Sequence, residues 1–476
     1  MQDANQLTVS EPVLRKYPAD RVATNNRRVL IINTGGTIGM EPSETGSLGV
    51  KSNFLASMIN RLDELNHPNM PLVSLCSMDP LIDSASISPD DWIYFARTIQ
   101  KYYDGYDGFV VTHGTDTMSY TAAALSFALE NLAKPVVLTG AQLPLGHPYT
   151  DGRQNLASAI FLAGYELVIP EVCIFFNRHL HRGNRCIKEN SWSLDAFGSP
   201  NFSPLASLGI SVTVNKGLVR RIPDPVASPL RVFTRFDRSV VVIRLVPGFS
   251  DDLLMLLLES SSQASSPELL GAGKTRGSVV TNDADVTDAT DVGSPDAGSG
   301  ATEGLACSAP PPLEGRARLH PARGIVIQTY GTGNMSSRRT DFIHAVTKAI
   351  DSGVVVVITS QCVRGEVRLD SYDTGEQLKK AGCVSAGDMT TDTAAVKLSY
   401  LLGQAGLTPN DIRTQMEADL RGEISSRLDR NISDPRGTPA YLKPHLPAAA
   451  TASSFVLRGA GADLPPSLSI GHHSQF

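Results

Sequence analysis

The chain has 476 residues, with 42 Lys and Arg against 48 Asp and Glu, a net charge of −6 and an apolar fraction of 41%. That is the balance of an ordinary globular protein. No window reaches the roughly 18 uninterrupted apolar residues of a membrane-spanning helix, and the first 27 residues are polar, without the apolar stretch of a secretory signal. A helical membrane protein and a wholly disordered chain are thereby excluded, and a cytoplasmic location without a membrane partner is expected. The sequence has no Lys/Arg cluster to neutralise phosphates, which argues against nucleic acid as the main partner.

In chain order, residues 1–27 read as a disordered polar leader. Val29–Ile32, Phe109–Val111, Pro135–Leu138 and Val172–Phe176 are short apolar, largely β-branched runs, and the first three end at Gly-containing loops, as buried parallel strands do. Between the first two, Ser88-Pro89-Asp90-Asp91 supplies an N-cap, a proline at the first helical position and an acidic residue at the third. Trp92, Phe95, Ala96 and Ile99 follow at helical spacing. Strand, helix and strand in succession predict a parallel sheet. The stretch 261–320 is rich in Gly, Ser, Ala and Pro and has no Phe, Tyr or Trp, so it cannot bury enough apolar surface to offset its ordering entropy. It reads as a disordered insertion. Beyond it, Gly324–Thr329, a helix over Phe342–Ile350, Val354–Thr359, a helix near Asp392–Leu402 and a capped helix from Thr408 repeat the theme on a smaller scale. The expected organisation is an α/β protein with a larger N-terminal parallel-sheet domain over 28–220. A smaller C-terminal α/β domain over 221–431 and a disordered tail over 432–476 complete it.

In open parallel sheets ligands bind at the carboxyl ends of strands. Two of those loops carry threonines in matching surroundings, Thr34-Gly35-Gly36-Thr37-Ile38-Gly39 and His113-Gly114-Thr115-Asp116-Thr117. Each sets a hydroxyl just past a glycine, where backbone N–H groups can approach a carboxylate or a developing oxyanion. A hydroxyl needs a partner to take or steer its proton. Asp116 and Lys188, the latter at the end of the run Arg182–Lys188, are the candidates. An ionised Asp116 makes Lys188 hold its proton, so a coupled Thr115–Lys188–Asp116 relay is expected. The six cysteines, Cys76, Cys173, Cys186, Cys307, Cys362 and Cys383, show no C-x-x-C spacing, and free thiols without a zinc site are expected.

These two threonine motifs, together with Gly140-Ala141-Gln142, Asp151–Asn155, Arg182–Lys188 and Tyr330–Asn334, resemble the L-asparaginase family, specifically its cytosolic type I branch. The resemblance implies hydrolysis of L-asparagine to L-aspartate and ammonia, without metal or cofactor and with some glutaminase activity possible. It further implies a two-domain α/β fold with sites between the subunits of a homodimer or homotetramer. By position, Thr37 matches the family's primary nucleophile, and Thr115, Asp116 and Lys188 its second hydroxyl triad. Ser84 matches the serine that holds the substrate α-carboxylate, with Gly36 and Gly114 beside it, while Asp116 also matches the residue that binds the α-ammonium. Ala141 matches the backbone carbonyl at the substrate amide, and Asn334 a second-domain residue that reaches a neighbouring subunit's site. Many members have a tyrosine where this chain has Ser47; Tyr372 matches the substitute used by some type I relatives. The family's Asp-Ser-Ser-Asp-Met is Asp83-Ser84-Ala85-Ser86-Ile87 here, so one carboxylate is lost. Two other readings compete: the ammonia-producing subunit of a tRNA-dependent amidotransferase, which would need an additional N-terminal module, and a non-catalytic binding protein, suggested by Ser47 and Ala85.

Overall fold

The computed structural model describes residues 7–42, 48–50, 54–248 and 322–425. Ser47, the stretch 261–320 and the tail 432–476 lie outside the described residues.

The first sheet comprises β1 (Thr8–Val9), β2 (Val13–Leu14), β3 (Arg28–Gly35), β4 (Leu72–Ile82), β5 (Gly108–Thr112), β6 (Val136–Thr139), β7 (Val172–Phe176), β8 (His179–Arg182), β9 (Ala206–Leu208) and β10 (Val212–Val214). Its order is β1-β4-β3-β5-β6-β7-β8-β9-β10, with β2 also paired to β4. The central strands β4, β3, β5, β6 and β7 run parallel, as the alternation of strands and helices predicts. The pairs at either edge are antiparallel. Period-two alternation divides β3 between the two faces: Leu30 and Ile32 enter one core and Val29 and Ile31 the other. Helices α1 (Phe54–Arg61), α2 (Pro89–Tyr102), α3 (Met118–Ala128) and α4 (Gly152–Ala163) accompany this sheet. The start of α2 is fixed as its sequence predicts, with the Ser88 N–H donating to Asp91 Oδ2 at 2.7 Å.

The second sheet, β11 (Val240–Arg244), β12 (Gly324–Thr329), β13 (Val355–Ser360) and β14 (Val384–Ser385), is parallel throughout and runs in sequence order. Its helices are α5 (Thr340–Asp351), α6 (Asp373–Lys380), α7 (Thr391–Gly403) and α8 (Pro409–Glu417). Helix α7 joins the domains. Leu398, Leu401 and Leu402 share one apolar cluster with Ala122, Leu125 and Phe127 of α3, and the rings of Phe127 and Tyr400 stack at 5.6 Å.

The reading of 1–27 as disordered fails for residues 7–27. Thr8–Val9 and Val13–Leu14 pair with β4. Arg15, 5% exposed, donates to Ile59 O, Leu62 O and Asn66 Oδ1 at 2.7–2.9 Å, so it caps the carbonyls at the end of α1. Apolar burial does little of this, since Val13 and Leu14 are 68% and 56% exposed. Backbone pairing and polar side chains, among them Arg15, Tyr17, Arg21 and Asn25, hold the segment, and composition registers neither.

Candidate active site

The chain leaves β3 for β4 on one side and then returns to β5 on the other, which makes the carboxyl ends of β3 and β5 the switch point of this sheet. Both threonine loops emerge there. Gly35 and Gly36 have φ of 119° and 84°, a region costly for residues with a Cβ. A Cβ on Gly36 would run into the backbone of Gly114, and one on Gly114 into the side chain of Ser84. The Gly36 and Gly114 loops are therefore packed backbone against backbone, with the Ser84 side chain against Gly114 and with Thr37 and Thr115 each one residue beyond a glycine of this contact. Thr37 opens a single 3-10 turn, Thr37–Gly39, and is half-buried.

His113 braces the second loop from below. It is fully buried, and burial lowers its pKa to about 4. Its Nδ1 lies 2.6 Å from Gly114 O and its Nε2 2.8 Å from Thr121 Oγ1. The Trp92 indole, which can only donate, lies 3.1 Å from the same Oγ1. Thr121 thus accepts from Trp92 and donates to His113 Nε2, which leaves Nδ1–H to donate to Gly114 O.

Lys188 Nζ donates to Thr115 Oγ1 at 2.8 Å and to Asp116 Oδ1 at 2.7 Å, so a lysine far along the chain forms one cluster with two consecutive loop residues. Thr115 is buried, the Lys188 side chain is 18% exposed and that of Asp116 63%. Asp116 therefore presents its carboxylate to solvent while holding the ammonium. Ala141 lies beside Gly152 and Ile38, and the loop that carries it is pinned by Asp151, whose carboxylate accepts from the backbone N–H groups of Gln142 and Leu143 at 3.0–3.1 Å.

The run before Lys188 is anchored by the second domain. Arg185, buried, donates to Asp388 Oδ2 at 2.6 Å and to Ser425 Oγ at 2.8 Å. Asn184 donates to Arg421 O at 3.0 Å, and Thr393 of α7 donates to Asn184 O at 2.8 Å. Burial pushes the Asp388 carboxyl up, but the Arg185 guanidinium and Ser425 outweigh it, and the pKa falls below the usual carboxylate value. A few residues farther on, Lys397 and Glu423 pair with both side chains fully buried.

Asn334 and Tyr372 lie on the second domain. Asn334 accepts from Thr374 Oγ1 at 2.6 Å, which ties it to the start of α6 beside Tyr372; the tyrosine is 55% exposed. Sequence reasoning assigned no role to Gln142, Asp151, Arg185 or His113. The motif runs contained all four, but the partners of Gln142 and Arg185 lie far along the chain.

Residues 28–220 match the family model described as Asparaginase, N-terminal, and residues 311–416 that of the Glutaminase/Asparaginase C-terminal domain. The L-asparaginase 1 of Escherichia coli K12 is 34% identical over 403 residues, covering 84% of this chain and 98% of that protein. A Mus musculus protein named 60 kDa lysophospholipase is 36% identical over 420 residues, covering 84% of this chain and 63% of that longer protein. The crystal structure of L-asparaginase I from Vibrio cholerae superimposes with a TM-score of 0.66 at 32% identity, covering 84% of this chain and all of that one. With the switch-point loops, the two matching domain models and the Escherichia coli enzyme aligned over nearly its whole length, the chain belongs to the asparaginase family of amidohydrolases.

Proposed function

We propose that this protein hydrolyses L-asparagine to L-aspartate and ammonia, with Thr37 as nucleophile and Thr115, Lys188 and Asp116 as the proton relay. The observation that carries the reading is the cluster in which one ammonium spans Thr115 and Asp116 at 2.8 and 2.7 Å, in a loop packed against the one that presents Thr37. The Thr37 oxygen attacks the side-chain amide carbon. Backbone N–H groups of the glycine loops face the oxygen that becomes negative, in a site whose geometry is set before substrate arrives. Ammonia leaves with a proton passed through the relay, and water attacks the resulting ester to release aspartate and regenerate Thr37.

Ser84 holds the α-carboxylate, with Gly36 and Gly114 beside it. Asp116 meets the α-ammonium, and the Ala141 carbonyl accepts from the leaving amide. Asn334 and Tyr372 serve a site completed between subunits of a homodimer or homotetramer, which accords with the exposed position of Tyr372. The pocket works without metal or cofactor, in the cytoplasm, and tolerates glutamine as a minor substrate because one methylene is worth only about 1–3 kcal/mol of discrimination. Among the described residues no helix is long and apolar enough to cross a membrane. Ammonia release from purified protein supplied with asparagine tests the reading; no release, or release undiminished in Thr37→Ala, overturns it.

A further inference from the structure

Gln142 follows Ala141 in the loop between β6 and α4, and its amide orientation is set by chemistry. One end of the amide lies 3.1 Å from Ser193 O, an oxygen that only accepts, so that end is the NH₂ group. The carbonyl Oε1 therefore faces Thr115 Oγ1 at 3.2 Å. The Thr115 hydroxyl has a single proton. While Lys188 is an ammonium it donates to that oxygen, and the hydroxyl proton must point to another acceptor. Gln142 Oε1 is in place to receive it.

We infer that Gln142 is a positioning residue of the relay, holding the Thr115 proton while Lys188 is charged and releasing it toward Nζ when Lys188 is neutral. This rests on the function proposed above. No covalent bond changes in the step: the O–H turns from Oε1 to Nζ, and only then can the lysine take its proton. Gln142 satisfies the hydroxyl in the charged state alone, so it stabilises that state relative to the neutral one. The titratable groups around the relay are Asp116 and His113 on the β5 loop, Asp83 beside Ser84, Asp151 beneath the Gln142 N–H, and Glu189 and Asp195 on the segment following Lys188. Among the described residues, the Thr115 hydroxyl has Gln142 Oε1, and none of these carboxylates, as its acceptor.

The test is the pH profile of kcat/KM for asparagine in wild type, Gln142→Met and Gln142→Glu, with thermal unfolding as a folding control. Loss of one hydrogen bond from the charged state moves the acid limb of Gln142→Met to lower pH by about half to one unit. The carboxylate of Gln142→Glu, which is isosteric with the native side chain, moves it to higher pH. A residue that merely braced the turn at Ser193 would lower kcat/KM across the profile and leave the limb in place. An unmoved limb in both variants, or shifts of the same sign, overturns the inference while the proposed function stands. A wild type that releases no ammonia from asparagine overturns both.

Discussion

Among the described residues both sheets have parallel strands that end in glycine-bearing loops, yet the candidate site lies on the first alone. In the first, the chain reverses its direction of winding between β3 and β5, the place where open parallel sheets bind ligands, and the glycine loops of these two strands meet there, Gly36 against Gly114. In the second, the described strands follow one another in sequence order, and no such reversal occurs among them. The Tyr330–Asn334 loop, with Gly331 and Gly333 at φ of 52° and 118°, is locally as specialised as the threonine loops. It has no facing loop from a reversed neighbour. Its Asn334 accepts from Thr374 of α6, and Tyr372 beside that helix is exposed. Strand order, rather than loop chemistry, separates the domain that carries the candidate site from the other.

That contrast is most sharply tested at the hydroxyls. Thr37→Ala, Thr115→Ala and Lys188→Met are each expected to cut turnover by roughly three to six orders of magnitude with little change in thermal midpoint, because each removes a reacting or relaying group and leaves the core intact. Steady-state ammonia release reads the effect; near-normal rates would place the chemistry elsewhere.

The next effect concerns support from the second domain. Arg185→Met leaves Asp388 buried without its guanidinium, at a cost of about 3–5 kcal/mol. Chemical denaturation should show that loss, whereas a change below about 1 kcal/mol would mean the anchor is dispensable.

Acid supplies a third probe. His113 and His181 are buried with their pKa lowered from 6.5 to about 4 by desolvation. The unfolded chain therefore takes up two protons that the folded chain refuses. Stability from these groups is fully present above about pH 6.5 and is lost as pH falls toward about 4, by about 3 kcal/mol for each. Denaturant midpoints of His181→Gln should fall less steeply over that window than those of the wild type. An identical slope would contradict the assignment.

The smallest expected effect is at Tyr372, where Tyr372→Phe keeps the ring and removes the hydroxyl. A relay role predicts a fall of about 10²-fold in turnover. Retention of more than about a tenth of the rate would confine Tyr372 to packing and leave the second domain without a part in the proton path.

What the sequence determined by itself was short in range. Capping at Ser88–Asp91 and Thr408–Asp411, the apolar runs of β3, β5, β6 and β7, and the Gly-Thr loops each depend on neighbours within a few residues, so local rules reach them. The ordered segment 7–27, the bond of Arg185 to Asp388 across 203 positions, the buried pair Lys397–Glu423 and the approach of Gln142 to Thr115 were decided only by the tertiary structure. A buried charge or amide takes its meaning from the partner that satisfies it, since unpaired it is strongly unfavourable. Those partners are brought close by strand order and by the packing of α7 on α3, neither of which any local stretch of sequence encodes.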